Sequence, residues 1–90
     1  MDNNETQATE TVLEFLTENA TVLRAPKYPD GSPMIRAWFG RLPFHSEPGV
    51  IVDVCGGLPH KSQPIIRKRA DTLIELARGL VDCPVYVKTR

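Results

Sequence analysis

The sequence predicts an α+β domain: two helices packed on one face of a three- or four-stranded antiparallel sheet, in the order α-β-β-β-α-β. Three observations carry that expectation. Two stretches, Met34–Leu42 and Gly49–Cys55, alternate with period 2 and are rich in β-branched and aromatic residues. Two others, Glu5–Asn19 and Pro64–Val81, repeat their apolar residues at three- and four-residue steps. Prolines and glycines fall between these stretches, as turns require.

Taken in order, Ala8, Val12, Phe15 and Leu16 form the apolar stripe of the first helix. Asn4 and Gln7 have the spacing of a capping box, and Asn19 is a reasonable stop. Residues 1–4 are expected to fray. Thr21–Ala25 is a short apolar run, expected as a first strand. Pro26–Pro33, with its Asp30-Gly31 pair, turns the chain into the next strand. There Ile35, Ala37 and Phe39 share one face, and Arg36, Trp38 and Gly40 share the other. In the following strand Val50, Val52 and Val54 oppose Ile51, Asp53 and Cys55. The purely apolar face is expected to meet the helices.

Gly56-Gly57 ends that strand, and Leu58–Gln63 is expected as a loop. Ser62 is placed to cap the second helix, with Pro64 in its first turn, where a missing N–H costs nothing. Its stripe runs through Ile66, Ala70, Leu73, Ala77 and Leu80, widened by Ile74 and Leu76. Val85–Thr89 alternates again and is expected as the last strand. With all strands antiparallel, the uncovered sheet face would show Arg36, Trp38, Ile51, Asp53, Tyr86 and Lys88.

Ninety residues suit one domain, 1–90, with a modest core. No apolar run is long enough to span a membrane. The acidic, polar start Met1–Glu10 lacks the basic and apolar regions of a secretory leader, so a cytoplasmic location is expected. Cys55 and Cys83 are then expected as buried thiols, although the sequence leaves their pairing open. The formal net charge is zero, but its distribution is uneven. Residues 1–20 hold five acids and no base, which leaves eleven bases against six acids in residues 21–90. The main body is therefore mildly basic and its first helix acidic.

Two features are candidates for function. The first is the uncovered sheet face, where Arg36, Trp38, Tyr86 and Lys88 combine aromatic rings with cations, a composition suited to anchoring a protein or stacking on bases. The second is the entry to the second helix: His60, Lys61, Arg67, Lys68 and Arg69 lie within ten residues without an acid. Cations there oppose the helix dipole, so dipole and side chains together favour an anion.

Arg67-Lys68-Arg69-Ala70 opening the last helix, with Gly31-Ser32-Pro33 before a strand, resembles a double-stranded RNA-binding domain over roughly residues 6–80. That resemblance implies three strands between two helices and phosphate contacts from the basic helix entry. The sequence departs from the family pattern at Asp71, which stands in place of a lysine. It departs also at Ile65 and Ile66, in the long Pro43–Gly49 loop and in the added Val85–Thr89 segment.

Catalysis has little support. Cys55 and His60 flank a Gly-Gly turn, yet no oxyanion motif, phosphate loop or acid–base pair accompanies them. His45, Cys55, His60 and Cys83 are of zinc-ligating type but lack ligand spacing. No cofactor, metal or enzymatic activity is expected. The expected function is a small non-enzymatic protein-binding domain, a regulator or inhibitor of a larger complex. It would dock through the open sheet face, a strand edge or the basic helix entry, with self-association as a homodimer one form of this. The alternative is a nucleic-acid-binding module that uses the basic entry.

Overall fold

The computed structural model describes residues 3–58 and 63–88. Helix α1 (Asn3–Glu18) is followed at once by a short helix α2 (Ala20–Leu23). Strands β1 (Ile35–Gly40) and β2 (Gly49–Val54), helix α3 (Pro64–Gly79) and strand β3 (Val85–Val87) complete the chain. The fold is α+β, with a three-stranded sheet in the order β1-β2-β3.

The sheet is mixed, which corrects the all-antiparallel expectation. β1 and β2 pair antiparallel from Ile35↔Val54 to Gly40↔Gly49, whereas β2 and β3 are parallel, Val50↔Val85 to Val52↔Val87. The reason lies in the connection. The Pro43–Pro48 loop simply reverses the chain between β1 and β2. Between β2 and β3, α3 carries the chain back along the sheet, so the next strand starts beside the start of the last. Gly49 sits at that junction, where its missing Cβ leaves room for the Pro84 carbonyl. The Val50 N–H donates to that same oxygen (2.9 Å).

Thr21–Ala25 is not a strand. The Asn19 side-chain amide donates to the Phe15 carbonyl (2.8 Å) and ends α1. The Val22 N–H then bonds the Asn19 carbonyl (3.0 Å), winding one further helical turn that closes at Arg24 in the left-handed conformation (φ 52°). The turn buries Leu23 completely in the core. Tertiary burial here overrides the strand preference of Thr21 and Val22. The order is therefore α-α-β-β-α-β, with three helices. α1 already includes Asn3 and Asn4 among its residues, so Asn4 does not cap it. Gln63 takes the N-cap position of α3 without a side-chain capping bond, and Pro64 occupies the first turn. Ser62, the expected cap, lies outside the described residues.

One face of the sheet carries the core. Val12 and Leu16 of α1, Leu23 of α2, and Ala70, Leu73, Ile74 and Ala77 of α3 pack on Ile35, Val50, Val52, Val54 and Val85. Full burial of each large aliphatic contributes roughly 1.5–3 kcal/mol as an upper estimate. The α3 stripe is narrower than its sequence suggests. Leu76 and Leu80 are 57% and 51% exposed, and of this helix only Ala70, Leu73, Ile74 and Ala77 are buried. The Pro26–Pro33 segment forms a tight turn with a Lys27↔Pro33 bridge, and Ser32 N–H and Oγ both donate to the Asp30 carboxylate. Those bonds hold the Asp30 carboxyl below its ordinary value, the Ser32 side chain contributing most.

Candidate functional site

The helices cover only one face of the sheet. On the other, the alternation of β1, β2 and β3 projects Arg36, Trp38, Ile51, Asp53 and Tyr86, with Lys88 just beyond the end of β3. The expected grouping of Arg36, Trp38, Tyr86 and Lys88 is thus realised: the β1–β2 register sets Arg36 opposite Asp53 and Trp38 opposite Ile51, and the β2–β3 register sets Tyr86 beside Ile51.

The face is layered rather than uniformly open. Ile51 is 2% exposed and Asp53 7%, although both point away from the helices. Trp38, opposite Ile51, is 37% exposed, and Lys88 holds its Nζ 6.0 Å from the Trp38 ring centroid, at the limit of a cation–π contact. Arg36 Nη2 donates to Asp53 Oδ2 at 2.6 Å. That hydrogen bond is the main cause that raises the Arg36 guanidinium above its ordinary value. The pair neutralises a nearly buried carboxylate in the middle of the face.

The loop between β1 and β2 wraps the far side. His45 stacks on Tyr86 with ring centroids 4.1 Å apart and an interplanar angle of 27°. The Tyr86 hydroxyl donates to the Glu47 carbonyl (2.9 Å), and Arg41 Nε donates to the His45 carbonyl (3.0 Å). Phe44, at the tip of this loop, is 97% exposed. Sequence reasoning missed His45, Phe44 and Arg41 as parts of this surface, because nothing local says which way a Pro-bounded loop will fold.

Of the basic helix entry, Arg67, Lys68 and Arg69 lie within the described residues. Arg67 pairs with Asp71 across one turn (3.3 Å), while Lys68 and Arg69 are exposed and make no ion pair among the described residues. Arg24 reaches the same end through a hydrogen bond to Gln63 Oε1, a cation that the sequence reading did not include. His60 and Lys61 lie outside the described residues.

Cys55 and Cys83 are free thiols, both partly buried. Burial, the largest influence, pushes the Cys83 thiol up from its ordinary value. Among the described residues no group of three or more His, Cys, Asp or Glu is placed to hold a metal ion, and no helix is long and apolar enough to cross a membrane.

In comparisons with known proteins, no family model, no curated protein and no solved structure matches the chain. The layout also departs from the double-stranded RNA-binding domain that its basic helix entry resembles. Two strands, not three, stand between the first helices and α3, and a parallel strand follows α3.

Proposed function

We propose that this chain is a small non-enzymatic protein-binding domain that docks a protein partner on the outer sheet face around Trp38, acting as a regulator or inhibitor of a larger complex. One observation supports this reading above the others: a half-exposed Trp38 opposite a buried Ile51, with Lys88 Nζ 6.0 Å from its ring and Arg36 and Tyr86 on the same face. An anchor of that kind, with an apolar centre and a charged rim, is the composition of a protein–protein hot spot. Nucleic acid fits the same face less well. A base-stacking platform presents successive free rings, whereas Tyr86 already has His45 against it, and the Asp53 carboxylate lies between the cations.

Two variants separate protein docking from phosphate binding at α3. In this reading Trp38→Ala loses capture of a specific protein, and Lys68→Ala with Arg69→Ala retains it. Labelled duplex RNA, duplex DNA and single strands, followed by fluorescence anisotropy at low and physiological salt, supply the opposing test. Tight, steeply salt-dependent binding that disappears in the Lys68/Arg69 variant would overturn the proposal in favour of a nucleic-acid module.

A further inference from the structure

We infer that β1 is a self-pairing edge, and that a second copy of this chain adds to it antiparallel about Ala37 to make a continuous six-stranded sheet. The hydrogen-bonding directions in the sheet carry the argument. The Cys55 N–H donates to the Met34 carbonyl, and Arg36 and Trp38 stand opposite Asp53 and Ile51, so the even-numbered residues of β1 turn their backbone groups toward β2. The N–H and C=O groups of Ile35, Ala37 and Phe39 therefore point out of the sheet. No hydrogen bond from a described residue reaches any of them.

The opposite edge of the sheet is treated differently. On β3, Val50 N–H to Pro84 and Lys88 N–H to Val52 show that Val85 and Val87 face outward. There Arg78 Nε donates to the Val85 carbonyl (3.1 Å), the strand is three residues long, and Pro84 precedes it. These are the devices that blunt an edge. β1 has none of them: it is six residues long, contains no proline, and its one charge, Arg36, is drawn inward to Asp53.

The occupant follows from the sequence of β1 itself. Two-fold pairing about Ala37 sets Ile35 against Phe39 of the second copy and Ala37 against Ala37, so large apolar residues flank a small pair on the inner face. On the outer face Arg36 meets Trp38 of the second copy. Like charges never oppose each other across this pairing. The interface is isologous and closes after two copies. It joins two outer faces side by side and does not depend on what those faces bind.

The test is the mass of the full chain from micromolar to millimolar concentration, by sedimentation velocity, for wild type and Ala37→Pro. The N–H removed points out of the sheet, so proline at this edge position is compatible with the fold. The wild type is expected to move from 10.0 kDa toward twice that mass, and the folded variant to stay at 10.0 kDa. A wild type that remains at 10.0 kDa throughout, or a folded variant that dimerises equally, overturns the inference. Should the variant unfold, amide hydrogen exchange on the wild type decides. Protection of Ile35, Ala37 and Phe39 that rises with concentration supports β1 pairing. Unchanged exchange at those amides shows that any dimer uses another surface.

Discussion

Trp38 and Ile51 stand directly opposite each other across the β1–β2 ladder, on the face of the sheet that no helix covers. The indole stays 37% exposed while the isoleucine opposite is 2% exposed. The outer face thus pairs a buried aliphatic with a half-exposed indole. Trp38 is also the only tryptophan in the chain, so its fluorescence reports on this site alone. In the free protein its emission should be red-shifted and open to acrylamide quenching, and both should fall when a partner covers the face.

Ile51 should behave as a core residue although it faces away from the helices. Ile51→Ala is expected to cost about 2–5 kcal/mol in urea unfolding, the range for a buried aliphatic truncated to alanine. A cost within about 0.5 kcal/mol of zero, as for an exposed position, would contradict the burial of Ile51.

Gly49 should tolerate no side chain. A Cβ there would run into the Pro84 carbonyl, a backbone atom fixed by its bond from the Val50 N–H. Gly49→Ala is expected to destabilise by roughly 1–3 kcal/mol or more through overpacking. Gly57→Ala is the instructive contrast. No atom crowds that position, and its cost should come from backbone conformation alone, at a φ of 84°.

Arg36 is expected to matter through Asp53. The Asp53 side chain makes its one hydrogen bond among the described residues to Arg36, so Arg36→Ala strands a nearly buried carboxylate. The loss should be about 1–3 kcal/mol. The double variant Arg36→Ala with Asp53→Ala should lose less than the sum of the two single variants, as a thermodynamic cycle by denaturant unfolding would show.

Cys83 gives the pH dependence. Burial raises its folded-state value above the ordinary 9.0, so on alkalinisation the unfolded chain gives up this proton first. The folded state then binds more protons, and stability falls as pH rises through 9. In a Cys55→Ser background the alkylation rate of Cys83 by iodoacetamide should rise with pH at a midpoint above that of a free cysteine peptide. A midpoint at or below the peptide value would contradict the burial seen here.

Much of this was legible in the chain. Period 2 in Met34–Leu42 and Gly49–Cys55 assigns Ile35 and Val52 to the inner face and Arg36 and Trp38 to the outer one, because alternation is a property of the strand itself. The helical steps of α1 and α3 are equally local. What the sequence did not carry depends on neighbours. The parallel placement of β3 follows from the path of α3 over the sheet, and α2 exists because Leu23 finds a buried site. The burial of Ile51 and Asp53 on the outer face depends on their cross-strand neighbours, which requires the register to be known. His45 reaches Tyr86 only through the fold of the Pro43–Pro48 loop. The basic entry of α3 was visible as composition, yet the pairing of Arg67 with Asp71 and the arrival of Arg24 at Gln63 are tertiary facts.

The docking role proposed for the outer face is most directly tested by placing a photo-crosslinking phenylalanine analogue at position 38, with position 68 on α3 as control, and irradiating cells that express each form. Defined protein adducts from position 38, absent from position 68, are the outcome expected for a partner held on the sheet face. Adducts from position 68 alone, or nucleic acid as the crosslinked species, would contradict it and place the interaction at the basic end of α3.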